Sequence, residues 1–223
     1  MYGSLSTHVL RCDGVPVPIA LASQPTTSTD AIPDPAVVDD LLPVLAADSL
    51  PRLIVLGDDA ALAAVLTHLM RTERLHVEVG YVPVEKTYGS RAYQLRTGNA
   101  AAKQALEGRA SEVPLIRDDT GTVLVGRAKI VGVGGEKLEG EAYVDDARLF
   151  SGRVAAMFVS PSMEAPGVRA AVQKRVRKRR WLSGRAVQLG SPGALVTRDG
   201  VAGDRKVPRA SFYRHHEPWL LVR

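Results

Sequence analysis

Apolar positions along this chain change rhythm about halfway. In the first half, short continuous runs alternate with helical stripes. Leu53-Ile54-Val55-Leu56 reads as a buried strand, and Gly57-Asp58-Asp59 as a tight turn. Beyond it Leu62, Val65, Leu66, Leu69 and Met70 recur at i, i+3, i+4, i+7 and i+8, the core stripe of a helix. His76–Val82 then alternates as a second strand, so strand, helix and strand predict a parallel unit. Upstream, residues 8 to 22 predict a strand, an Asp13-Gly14 turn and a second strand after the prolines, and residues 23 to 33 predict an exposed loop. Asp34-Pro35 offers an N-cap and a first-turn proline to a helix through Val37, Val38, Leu41, Leu42 and Leu45, which Pro43 interrupts. Downstream, Pro83–Leu95 is a long polar connection of the kind that carries function, and an Ala-rich helix runs from Thr97-Gly98-Asn99 to Gly108.

From Val113 the segments shorten. Residues 122–125, 128–131, 141–144 and 154–159 predict strands parted by Asp/Gly turns, and residues 166–180 predict a helix. Strands around Val187, Val196 and Phe212 complete the pattern. The expected fold class is an α/β N-terminal domain, a parallel sheet with flanking helices, followed by a β-rich second domain. The expected division is residues 1–110, nucleotide-binding-like, and residues 111–223, β-rich with one basic helix.

Composition narrows the class. With 223 residues, 45% hydrophobic and 24% charged, the chain can bury a core without metal or disulfide, and its single Cys12 cannot form an intrachain bridge. No apolar run reaches the roughly 18 residues of a membrane span, and no charged and apolar leader is recognisable, so the expected location is cytoplasmic. The formal charge of +5 favours anionic partners. Lys174, Arg175, Arg177, Lys178, Arg179 and Arg180 crowd one segment that ends at Trp181. As a helix it would suit an acidic membrane surface, where each cation contributes about 1 kcal/mol. A solvated helix face over a packed tryptophan accounts for it equally well, and nucleic acid is the less favoured partner.

A strand–turn–helix junction gathers backbone N–H groups and a positive helix end, which suits phosphate. This turn has one glycine and two carboxylates where a phosphate site wants several glycines. Two acids at a helix start also have a plain role, stabilising it by a few tenths to about 1 kcal/mol each. The order of elements resembles the diacylglycerol kinase catalytic-domain family, which includes bacterial lipid kinases and sphingosine kinases and is similar in fold to NAD kinases. Gly57-Asp58-Asp59-Ala60-Ala61-Leu62 stands where that family has Gly-Gly-Asp-Gly-Thr-Leu, which makes Asp59 the hallmark acid. Its second phosphate loop, Pro-Leu-Gly-Thr-Gly-Asn-Asp, falls on Pro83-Val84-Glu85-Lys86-Thr87-Tyr88-Gly89. Leu95-Arg96-Thr97-Gly98-Asn99 matches better by letter but stands too far from the strand end at Val82. Arg198-Asp199-Gly200-Val201 resembles the late Asp-Gly-Glu turn, with Val201 at the glutamate.

The resemblance implies a nucleotide site between two domains, with Gly57, Asp58, Ala60, Glu85, Lys86, Thr87 and Gly89 contacting the nucleotide and Asp59 and Asp199 as catalytic acids. It also implies ATP and Mg²⁺ as cofactors, with a nucleotide or an anionic lipid as ligand. The departures point the other way: Asp58 sets a carboxylate beside the phosphate oxygens, Ala61 lacks a hydroxyl, and Val201 lacks a carboxylate. The expectation is a degenerate nucleotide site on a non-catalytic binding or interaction protein. The alternative is an active ATP-dependent lipid kinase in which Lys86 replaces the lost backbone donors and Asp58 with Asp59 holds Mg²⁺. Homo-oligomerisation stays open. His215-His216-Glu217 invites a metal reading, but adjacent histidines usually point apart and the sequence holds no second ligand cluster, so an exposed turn before the final strand is expected, and Cys12 is expected as an inert core thiol.

Overall fold

The computed structural model describes residues 5–46, 50–173 and 180–223. The chain forms two compact units, Met1–Val113 with Glu217–Arg223, and Pro114–His216. The second domain expected at 111–223 therefore gives up its last strand to the first unit.

In the first unit β1 (Leu5–Cys12), β2 (Thr26–Thr29), β3 (Leu50–Leu56), β4 (Glu78–Val82), β5 (Ala110–Val113) and a strand near the end of the chain form one sheet. The chain's α1 (Pro35–Ala46), α2 (Asp59–Arg71), α3 (Tyr88–Ala92) and α4 (Gly98–Glu107) all belong to this unit. β1 pairs parallel with both β2 and β3, and β3 pairs parallel with β4. The predicted strand–helix–strand unit is thus present as β3, α2 and β4. Its helix buries Leu62, Val65, Leu66 and Leu69, each contributing roughly 1.5–3 kcal/mol by leaving water. α4 turns its Ala101, Ala102 and Ala105 inward. Gly80 makes that close approach feasible, because a Cβ there would lie 2.7 Å from the Ala105 Cβ. One charge is buried beside it. Arg52 of β3, 3% exposed, donates from Nε (2.8 Å) and Nη2 (2.6 Å) to Glu78. Its remaining donors meet the Ala105, Leu106 and Gly108 carbonyls that end α4.

The N-terminal hairpin expected at residues 8–22 does not form. Asp13 (φ 52°) and Gly14 (φ 60°) make the tight turn that the pair predicts, and Arg11 holds it by donating to the Gly14 and Val15 carbonyls, both at 2.6 Å. The prolines then lead into a short 3₁₀ turn, Ile19–Leu21, and β2 arises inside the stretch expected as a loop.

In the second unit the strands are β6 (Ile116–Asp118), β7 (Ala128–Gly132), β8 (Leu138–Val144), β9 (Ala147–Val154), β10 (Met157–Pro161), β11 (Val168–Val172), β12 (Leu182–Gly184), β13 (Ala186–Arg198), β14 (Val201–Ala202) and β15 (Val207–Arg214). β13 is the hub, pairing antiparallel with β7, β8, β14 and β15. Its inward residues pack with Ile130, Met157, Val159 and Phe212 into one core. The strands expected around Val187 and Val196 are this single strand, bent by an irregularity between Gly190 and Ala194. The helix expected over 166–180 is replaced in its first part by β11, which pairs with β10 and β12. Lys174, Arg175, Arg177, Lys178 and Arg179 lie outside the described residues, and Arg180 is exposed coil. The strand expected at 122–125 reduces to a single bridge from Val123 to Arg117. The final strand, β16 (Trp219–Val222), returns to the first unit, parallel to β4 and antiparallel to β5.

Candidate functional site

The parallel pairing of β1 and β3 sets Arg11 opposite Leu56, so the turns that follow the two strands emerge side by side. Between them and the start of the 83–95 connection is a pocket of ≈ 400 Å³. Cys12, Val15, Ala31, Gly57 and Val84 supply its apolar wall. Asp13, Asp58, Glu85 and Thr87 supply its polar groups. Asp13, Asp58 and Glu85 are all exposed, and among the described residues no Lys or Arg lines the space.

Each group in the turn is engaged locally. Asp58 is the N-cap of α2, its Oδ1 accepting the Ala61 N–H at 2.9 Å, so a carboxylate occupies a donor that an anion at this helix end would use. Gly57 is explained by clearance. A Cβ there would lie 3.0 Å from the Cys12 Cβ and 3.1 Å from the Ala61 Cβ, so it lets the turn lie against β1. Asp59 is 6% exposed and faces inward, where Tyr81 donates its hydroxyl to Oδ1 (2.8 Å) and Gly89 its N–H to Oδ2 (2.9 Å). Burial, and then the Asp59 charge, push the Tyr81 hydroxyl far above its ordinary range. The acid therefore fixes the head of α2 to β4 and α3.

Along the 83–95 connection, Thr87 and Ser90 form a reciprocal cap on α3. Lys86 is exposed and its Nζ donates to the Leu95 carbonyl at 2.5 Å. Ala60 is buried in the first turn of α2, and Glu85 is exposed at the pocket. The expected set thus divides. Gly57, Asp58, Glu85 and Thr87 share one pocket, while Asp59 and Gly89 bond each other beneath the surface.

Asp199 belongs to the second unit, in the turn from β13 to β14, with φ 46°. Its carboxylate accepts three backbone N–H groups: Val125 on Oδ2 (2.9 Å), and Gly126 (2.7 Å) and Arg127 (2.9 Å) on Oδ1. It therefore clamps the segment leading into β7, and Val201 beyond it is 43% exposed. His215 and His216 do not diverge as expected, since their ring centroids lie 4.2 Å apart.

Three participants escape sequence reasoning: Cys12, Asp13 and Tyr81. The Asp13-Gly14 pair is legible as a turn, but only the β1–β3 pairing brings it beside Gly57. Burial, reinforced by the charges of Asp58 and then Asp13, pushes the Cys12 thiol up to about 12, so it is inert at neutral pH.

An α/β unit with a largely parallel sheet and a β-rich second unit define the two-part fold of diacylglycerol kinases and NAD kinases. Among solved structures, the chain is similar to a diacylglycerol kinase from Bacillus anthracis, at 10% identity and a TM-score of 0.73, over 100% of this chain and 97% of that one. It is also similar to an NAD kinase from Archaeoglobus fulgidus in complex with ATP, at 11% identity and a TM-score of 0.61, over 99% of this chain and 94% of that one. No protein-family model and no curated protein matches the sequence. Among the described residues no helix is long and apolar enough to cross a membrane.

Proposed function

We propose that this chain keeps the diacylglycerol kinase-like scaffold without its phosphoryl-transfer chemistry, and works by binding a ligand at the pocket between the β1 and β3 turns. The observation that carries the reading is the Asp58 carboxylate seated on the Ala61 N–H at the head of α2. Phosphate binding at a helix start needs open N–H donors and tolerates no fixed anion among them. ATP and Mg²⁺ therefore do not fit the groups present at this turn. Asp59 and Asp199 are bonded to protein hydroxyl and N–H groups, which supports a structural role for both.

The second reading, an ATP-dependent lipid kinase with a rebuilt site, draws support from the fold it shares with an ATP-bound NAD kinase. In it Asp58 and Asp59 hold Mg²⁺ and Lys86 neutralises phosphate. Against it, Asp59 has both oxygens occupied and Lys86 is tied to Leu95. Thermal unfolding with millimolar Mg-ATP separates the two. A nucleotide at 100 times its Kd stabilises by about 2.7 kcal/mol, which is a rise of several degrees in a chain of this size. The expected result is no rise, and a rise accompanied by ATP consumption in the presence of diacylglycerol overturns the proposal.

The positive surplus of the sequence belongs to residues 114–216, since residues 1–113 carry more Asp and Glu than Lys and Arg. We assign contact with an acidic membrane surface to the Lys174–Arg180 segment on that charge alone. Co-sedimentation with phosphatidylserine vesicles that weakens as salt rises is the expected behaviour, and no binding at low salt refutes it.

A further inference from the structure

The geometry points to an amphipathic amine, with a protonated head and an apolar body, as the chemical class of ligand that the ≈ 400 Å³ pocket takes. This rests on the non-catalytic reading above and names what that reading leaves open. The size of the cavity is that of a small organic ligand. Cys12, Val15, Ala31 and Val84 bring carbon and sulfur to its lining, and Val84 is 48% exposed, which is ground for an apolar body. Its charges have one sign. Asp13, Asp58 and Glu85 come from three separate segments, after β1, after β3 and after β4, and meet at one space.

The neighbouring cations are spent elsewhere. Arg11 faces the Gly14 and Val15 carbonyls, and Lys86 faces the Leu95 carbonyl. The negative field reaches the floor, since the charges of Asp58 and Asp13 both act on the Cys12 thiol. A carboxylate or phosphate ligand would meet three like charges with no cation among the described lining residues. An ammonium would meet three acceptors while its hydrocarbon covers the valines. A neutral apolar ligand would gain the wall but leave the charges of Asp13, Asp58 and Glu85 unneutralised.

Two fluorescent probes that share a body and differ in charge test this. Dansylcadaverine carries a protonated amine, and N-dansyl-aminocaproate carries a carboxylate. Titrated into the full chain at low salt, the amine is expected to bind at least about tenfold more tightly, with the difference shrinking as salt rises. Asp13→Asn, Asp58→Asn and Glu85→Gln combined should bring the two probes to similar affinity. Asparagine remains an N-cap and tolerates the positive φ of Asp13, so this variant retains the fold. Ala31→Trp, which fills the wall from an exposed position, should abolish binding of both probes. Equal affinities in the wild type, a preference for the carboxylate, binding untouched by Ala31→Trp, or no binding of the amine each overturn the inference. The Mg-ATP titration is a separate readout. Absence of amine binding with no nucleotide effect defeats only the inference, whereas nucleotide binding with turnover defeats the reading beneath it.

Discussion

Replacing Asp58 gives the most direct test of what the turn does. Its carboxylate makes one capping hydrogen bond, 2.9 Å to the Ala61 N–H, and places a negative charge at the positive end of α2. Losing an N-cap side chain to alanine costs about 1 kcal/mol, and losing the charge a further 0.3–1 kcal/mol. Glycine costs only a few tenths at the cap position, and asparagine keeps the acceptor while losing the charge. The expected order of destabilisation is therefore Asp58→Asn below Asp58→Gly below Asp58→Ala, with the last at about 1–2 kcal/mol. At roughly 2–4 °C per kcal/mol for a chain of this length, Asp58→Ala lowers Tm by about 2–8 °C.

The same substitutions report on anions. With the carboxylate gone, the α2 N–H groups are open, so inorganic tripolyphosphate should raise the Tm of Asp58→Gly and leave the wild type where it is. Urea denaturation and thermal scans with and without tripolyphosphate measure both quantities. Two results refute the reasoning: an alanine variant as stable as the wild type, or a wild type that gains as much from tripolyphosphate as the glycine variant.

Two further outcomes follow from buried groups. Asp199→Ala leaves three backbone N–H groups without their acceptor and should cost about 2–4 kcal/mol in urea denaturation, with Asp199→Asn restoring part of it; a loss under about 0.5 kcal/mol rules out the clamp. Burial pushes the Cys12 thiol up to about 12 from its ordinary 9.0. Because the folded value is the higher one, its contribution is complete below about pH 9 and drains away as pH rises toward 12. By pH 11 the wild type should have lost about 2–3 kcal/mol more than Cys12→Ala over the same interval, and parallel pH profiles would remove the assignment.

Much of the fold is legible because its first half obeys one period at a time. The Leu53–Leu56 run is too short for a helix, and the Leu62–Leu69 stripe fits a helix alone, so β3 and α2 are fixed by pattern. The β11 segment is ambiguous. Val168, Ala171 and Val172 satisfy helical spacing, but as a strand the same segment buries Val168, Ala170, Ala171 and Val172 between two neighbours, and tertiary pairing decides. The strands expected separately around Val187 and Val196 are one β13, with an irregularity between Gly190 and Ala194. The candidate pocket was half visible. Gly57, Asp58 and Glu85 follow strand ends that periodicity locates, whereas Asp13 and Cys12 reach them only through the β1–β3 pairing, a contact between distant segments that no local pattern encodes.

The return of β16 to the first sheet carries a consequence for how the chain is built. Among the described residues β5 pairs with β16 alone, and β4 meets β16 on one side, yet all of residues 114–216 lie between β5 and that strand in sequence. During synthesis the first sheet must wait, with the β4 edge bare, while the inserted β-rich unit is made. Closing so long a loop adds little free energy but slows folding, and an unpaired apolar edge invites pairing with another nascent chain. Ribosomes paused before Glu217 should therefore display a first unit that is more readily cleaved by protease and more prone to aggregate than the same residues in the released chain.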